Sequence, residues 1–179
     1  GMFVFCEMAE RGMLTPPSVP ELTTARCILN EVTEDDIPAL KSIFTDATTQ
    51  RFLPDLCEIA KTNEGIRNIL QSFRLYLKKK EGVLWGIRHR GELIGFVATM
   101  DLSFNPTIFF AMHHEYRNQG MMIESVKIVT QYIIESNFCT ELYSEVNVDN
   151  IASQRVLVTC GYRFCKEYAG KRIYKTYFN

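Results

Sequence analysis

The sequence predicts an α/β fold: a mixed, mostly antiparallel central sheet with one parallel strand pair, flanked by helices. Three observations predict it. Residues 83–89 and 92–100 carry alternating apolar positions and are joined by Arg90-Gly91, which reads as a hairpin. Residues 107–113 form a nearly continuous apolar strand, followed by an amphipathic helix over 120–137 and a second strand over 141–148. A strand-helix-strand unit of this kind closes as a parallel pair with a right-handed crossover. Residues 162–167 and 172–178, joined through Ala169-Gly170, read as a closing hairpin.

The remaining elements follow in order. Residues 1–22, with Pro16, Pro17 and Pro20, read as an N-terminal leader or linker, pinned to the body by Phe3 and Phe5. One domain is expected over 23–179, because no Gly/Ser-rich break or repeat interrupts it. Residues 27–32 form a first strand, and Thr33 with Asp36 offers a helix start. Ile37, Leu40, Ile43 and Phe44 share one helical face, as do Ile66, Leu70, Phe73 and Leu77. The run Lys78-Lys79-Lys80 reads as solvated charge at a helix C-terminus. The strand 107–113 is apolar enough to predict burial on both faces. Residues 151–160 form a short helix ended by Gly161. The order is β-α-α-β-β-β-α-β-α-β-β.

Composition narrows the function. The 179 residues carry 20 Lys plus Arg against 21 Asp plus Glu, a net charge of -1. That balance predicts no nucleic-acid partner, and no apolar run reaches the roughly 20 residues that span a bilayer. The N-terminus has no basic lead-in to a long apolar run, so no signal peptide is expected. The six cysteines, at 6, 27, 57, 139, 160 and 165, form no CxxC pair and have no histidine at zinc spacing. They read as reduced thiols, mostly core filler, in a cytoplasmic protein.

The chemistry gathers at Arg117-Asn118-Gln119-Gly120-Met121-Met122, between the apolar strand and the strongest helix. A helix N-terminus offers unpaired amides and the positive end of the dipole, which suits a pyrophosphate. Gly120 lets a phosphate approach the backbone, and Arg117 can add a charged contact. Arg and Gly at this spacing are common, and Gly120 could simply make a turn; the strand-loop-helix setting gives the spacing its meaning. A second constellation follows: Asn150 to Ser153, then Cys160-Gly161-Tyr162.

These motifs resemble the GNAT superfamily of acetyltransferases, and within it the RimJ/RimL-like N-terminal acetyltransferases. The loop is similar to that family's R/Q-x-x-G-x-G/A stretch. Asn150 to Ser153 with Gly161-Tyr162 is similar to its later N-x-x-S element. The opening Leu22-Thr23-Thr24-Ala25-Arg26 with Thr33-Glu34-Asp35-Asp36, and the hairpin Gly91-Glu92-Leu93-Ile94-Gly95-Phe96, resemble that branch. The resemblance covers roughly 21–179. It implies a GNAT-like fold with acetyl-CoA as cosubstrate and no metal. The amides of Asn118, Gln119, Gly120, Met121 and Met122 would hold the pyrophosphate, beside Arg117. The strand edge at Met112 and His113 would pair with the pantetheine arm, Asn150 would bond that arm, and Ser153 would lie near the sulfur. Asn150 serves equally well as an N-cap for 151–160. Met122 and Asn118 depart from the small residues usual in the loop, and Leu157 stands where many relatives carry a tyrosine acid.

The implied reaction is attack of an amine, a small molecule or a peptide N-terminus, on a thioester. It needs a base for the amine and an acid for the thiolate, with a strand amide to stabilise the oxyanion. Ser153 is the candidate acid, or a small packing residue. His113, His114 and Glu115 are the candidate bases, with Glu145 as another. Strand alternation lets only one of the two histidines face the cleft, and their divergence argues against a metal site. Residues 52–58 and 104–106 are expected to line the acceptor side. The protein is expected to act as a monomer or homodimer. An alternative reading is a catalytically inactive acyl-CoA-binding sensor or structural module; Met122 and Leu157 point that way.

Overall fold

The computed structural model describes residues 17–177. Phe3, Phe5 and Cys6 lie outside them. Strands β1 (Leu22–Thr23) and β2 (Ile28–Asn30) lead into a 3-10 turn, Glu34–Asp36. There the Thr33 and Asp36 side chains cap each other's backbone, as the sequence predicts. Four helices follow: α1 (Ile37–Phe44), α2 (Ala47–Phe52), α3 (Pro54–Ile59) and α4 (Asn63–Lys78). The sequence reading has only the first and last of these. The six-residue α2 and α3 are too short to show a helical period, and α2 contains two β-branched threonines. It forms because Asp46 caps it, accepting from the amides of Thr48 and Thr49 at 3.1 Å each.

The remaining elements are β3 (Val83–His89), β4 (Glu92–Met100), β5 (Thr107–Met112), a 3-10 turn at His114–Tyr116, α5 (Met121–Glu135), β6 (Glu141–Asn147), α6 (Ile151–Thr159), β7 (Arg163–Tyr168) and β8 (Lys171–Tyr177). They form one eight-stranded sheet in the order β1-β2-β3-β4-β5-β6-β8-β7. Every neighbour pair is antiparallel except β5 with β6. This is the predicted mixed sheet.

The expected leader is not separate from the body at its described end. Leu22 pairs with Leu29 in the sheet, Val19 packs on the core, and the Trp85 indole N–H donates to the Pro20 carbonyl at 2.8 Å.

Two cores lie on opposite sheet faces. On one face, Leu40, Ile43 and Phe44 of α1 and Ile66, Leu70 and Phe73 of α4 bury Phe96 and Ala98. On the other, Val126, Val129 and Ile133 of α5 cover Trp85, Val97 and Ile108. Each large apolar side chain so buried contributes roughly 1.5–3 kcal/mol. Cys27 and Cys57 are buried, and burial pushes the Cys160 thiol up to about 11, so these read as inert filler. Cys165 departs from that expectation: it is exposed on the sheet's last strand. No helix among the described residues is long and apolar enough to cross a membrane.

The strand β5 corrects one expectation. Only Ile108 and Met112 are buried; Phe109, Phe110 and Ala111 are half-buried. The reason is that β6 leaves its side, and that opening positions the site.

Candidate active site

The strands β5 and β6 pair at a single register point, Thr107 with Tyr143. The Tyr143 amide donates to the Pro106 carbonyl at 2.8 Å, and the Ser144 hydroxyl to the Ile108 carbonyl at 2.9 Å. No pairing follows, and the strands splay. A cavity of about 450 Å³ opens in the gap. Its lining comes from both sheet faces. Phe109, Ala111 and Glu145 share a face with Tyr143, whereas Phe110, Met112 and Val146 lie on the α5 side. The cavity is therefore a passage through the sheet, with two approaches.

The loop 117–122 stands at the head of the passage. Asn118 has φ +61° and Gly120 φ +82°. Asn118 thus occupies a left-handed position, which asparagine tolerates better than other side chains, and this explains the departure from glycine there. Gly120 precedes the first helical residue, so no side chain caps α5. The amides of residues 118–123 find no acceptor among the described residues. A row of unpaired donors at a helix N-terminus suits an anion. A Cβ on Gly120 would meet only the Arg26 guanidinium, at 3.0 Å.

Arg26 is a functional neighbour that sequence reasoning placed only within an opening motif. Its Nε donates to Glu124 in the first turn of α5 at 2.7 Å, and the Thr24 hydroxyl donates to the same carboxylate at 2.9 Å. This holds the β1–β2 turn against the loop and brings a second cation beside Gly120. Burial pushes the Glu124 carboxyl up, but the Arg26 and Thr24 hydrogen bonds outweigh it and leave it below its usual value.

Arg117 is turned away from the amides. Its guanidinium donates to Asp46 at 2.7 Å, to the Thr49 hydroxyl at 3.3 Å and to the Met112 carbonyl at 3.0 Å. It ties α2 to the end of β5, so its charge at the loop is partly offset by Asp46. Burial raises the Asp46 carboxyl; the Arg117 and Thr49 bonds and the Arg117 charge more than reverse this and hold it below its ordinary value. A lowered carboxyl contributes stability above its unfolded value, near 3.9, and loses it as pH falls through the folded value. Asp46→Asn keeps a cap but loses the charge. We expect it to cost about 1–2 kcal/mol at neutral pH. In urea unfolding across pH, the gap to wild type should close below about pH 4. A gap of equal size at both ends would mean that the charge contributes nothing.

The predicted site residues divide. Met112, Arg117, the loop residues Asn118 to Met122, Asn150 and Ser153 all line the passage. Asn150 caps α6, its side chain accepting from the Ser153 amide at 3.2 Å, and it also faces the cavity, so both roles expected of it are compatible. The Ser153 hydroxyl makes no hydrogen bond within the described residues. His113, His114 and Glu115 are not among the lining residues. The two histidines do not diverge. The strand ends at Met112, the chain enters a 3-10 turn, and their rings stack at 4.4 Å. His113 accepts from the Glu115 amide at 3.2 Å, and His114 lies 3.8 Å from Asp46. Glu145, by contrast, lines the passage and is exposed there. On the acceptor side, Phe52 and Leu53 line it, whereas Phe104 is 76% exposed in the β4–β5 turn, at the paired end of the strands. Leu157 is fully buried on the inner face of α6 and is not among the residues lining the passage.

Known proteins share this fold. The model of the acetyltransferase (GNAT) domain matches residues 26–163. The N-acetyltransferase YoaA of Bacillus subtilis (strain 168) is 28% identical over 149 residues, 80% of this chain and 83% of YoaA. The structure of RimL, a ribosomal L7/L12 alpha-N-protein acetyltransferase in complex with coenzyme A, superposes with a TM-score of 0.79 at 18% identity, covering 88% of this chain and 98% of that one. The structure of Mycobacterium smegmatis RimJ in complex with CoA-disulfide gives 0.73 at 14% identity, covering 90% and 88%. With the amide row, the splayed strands and a family match over most of its length, the chain belongs to the GNAT acetyltransferase domain family.

Proposed function

We propose that this acetyltransferase moves the acetyl group of acetyl-CoA onto the amino terminus of a polypeptide, as the RimJ/RimL-like branch does. The observation that carries the cofactor half is the row of unpaired amides at residues 118–123, at the head of a passage through the sheet. Acetyl-CoA supplies a thioester carbonyl and a thiol leaving group. The amides of residues 118–122 hold its pyrophosphate, and the open edge of β5 past Ile108 offers backbone groups to the pantetheine amides. The peptide acceptor is suggested by the ribosomal-protein acetyltransferases that share the fold.

The amine approaches from the face that carries Phe109 and Glu145. Glu145 accepts its proton as the nitrogen–carbon bond forms, and a β5 amide stabilises the carbonyl oxygen. The carbon–sulfur bond breaks on the other side, where Ser153 presents its hydroxyl to the sulfur. Removing that hydroxyl by Ser153→Ala should lower kcat about tenfold with little change in KM for acetyl-CoA, a loss of about 1.4 kcal/mol in the transition state. Unchanged kcat would assign that proton to solvent. We place this reaction in the cytoplasm, where the free cysteines among the described residues would stay reduced.

The direct test is titration calorimetry with coenzyme A, followed by mass spectrometry of peptides incubated with labelled acetyl-CoA. At a concentration 100 times Kd, the ligand should stabilise the fold by about 2.7 kcal/mol. No binding at millimolar coenzyme A would overturn the proposal. Binding without acetyl transfer to any amine would point to a sensor or structural module.

A further inference from the structure

The sheet's faces are covered unequally. Helices α1 and α4 cover one face over β3 and β4, and α2 closes it at the passage. On the same face, no helix among the described residues packs over β8 or β7. The helix α6 lies on the opposite face, where the Tyr174 hydroxyl donates to Gln154 at 3.4 Å. Register decides which side chains share the uncovered face. Glu145 stands beside Ile173, and Ile173 beside Lys166; Tyr143 stands beside Lys175, and Lys175 beside Arg163. Asn147 and Tyr168 flank Lys171. Arg163, Lys166 and Tyr168 are exposed, and Lys171 and Ile173 are half-buried.

Four cations therefore share one face of a chain whose net charge is -1. Lys175 is tied to Glu141 at 2.9 Å. Arg163, Lys166 and Lys171 make no ion pair within the described residues. The face is continuous with the passage, because Glu145 belongs to both.

We infer that this shelf docks the acidic body of a polypeptide acceptor and so delivers its free amino terminus to Glu145. The inference rests on the reading of the passage as an acetyl-transfer site. Spacing sets the match: Lys166 lies two strands from Glu145, about 10 Å, or about three residues of extended chain. Acidic residues from roughly the fourth position onward meet Lys166, Lys171 and Arg163. The Glu145 carboxylate, exposed in the passage on the same face, attracts the ammonium end and repels phosphates, which favours an acidic peptide over a nucleic acid.

The test uses the full chain saturated with coenzyme A and two C-terminally fluorescent peptides, read by anisotropy. Both begin Ser-Ala-Ala; one continues in Glu-Ala repeats and the other in Lys-Ala repeats. The acidic peptide should bind at least about tenfold tighter, with the difference shrinking between about 50 and 200 mM salt. The double variant K166E/K171E should lose that preference while keeping its melting temperature and its calorimetric affinity for coenzyme A. The variant K61E/K127E, with the same charge change elsewhere, should retain it. Equal affinity for the two peptides, or an unchanged preference in K166E/K171E, overturns the inference. So does tighter binding of a short oligothymidylate, or a dimer that K166E/K171E dissociates. A chain that binds no coenzyme A removes the reading of the passage itself; one that binds it without preferring the acidic peptide removes only the shelf.

Discussion

Gly120→Val should abolish measurable coenzyme A binding while the chain stays folded. Gly120 has φ +82°, and a Cβ there would stand 3.0 Å from the Arg26 guanidinium, at the start of the helix whose first amides are unpaired. A β-branched side chain would fill the space that a phosphate needs and push Arg26 aside. The left-handed backbone adds a cost to folding of about 1–2 kcal/mol, a minority of the 5–15 kcal/mol typical of a domain. The neighbour it meets is the end of a long side chain rather than backbone, so the rest of the fold can adjust. We expect Kd for coenzyme A to rise at least about 100-fold, a loss of about 2.7 kcal/mol, with a fall of a few degrees in Tm. Calorimetry and thermal unfolding of the same preparation separate the two. Unchanged affinity in a folded variant would reduce Gly120 to a turn residue.

Glu145→Gln should have the largest effect on turnover. Its side chain is exposed within the passage, on the face of Phe109 and away from α5, which is the side from which the proposed reaction brings the amine. Gln keeps the shape and removes the proton acceptor. We expect kcat to fall about 100-fold, with the calorimetric affinity for coenzyme A unchanged and the acidic limb of the kcat/KM profile lost. The comparison is with His113→Ala and Glu115→Ala, which lie outside the passage and should keep wild-type profiles. If Glu145→Gln keeps its limb and a histidine variant loses it, the base lies in the 3-10 turn instead.

The strands from β3 onward and the long helices were legible because each repeats a local pattern. Residues 83–89 and 92–100 were read with the bounds the structure gives, since Arg90-Gly91 supplies two consecutive positive-φ positions between alternating segments. The loop at Gly120 was legible because a glycine stood between a buried strand and an amphipathic helix. The short helices α2 and α3 were not, because six residues hold less than two turns and their stability comes from Asp46, Arg117 and the surrounding core. The histidines were misplaced for a related reason. Alternation assumes that the strand continues, and it stops at Met112.

By itself the sequence determined the elements from β3 onward, the mixed sheet and the glycine loop at the start of α5. Each of these follows from the period of the chain or from the conformational freedom of one residue. Tertiary structure alone decided which groups reach the passage. Glu145, rather than His113 or His114, faces the passage because the splay of β5 from β6 exposes one face of β6. Arg117 binds Asp46, 71 residues away in sequence, and Arg26 is the cation that stands beside Gly120. Pairings at such separations depend on how layers pack, and no local pattern of hydrophobicity or spacing records them.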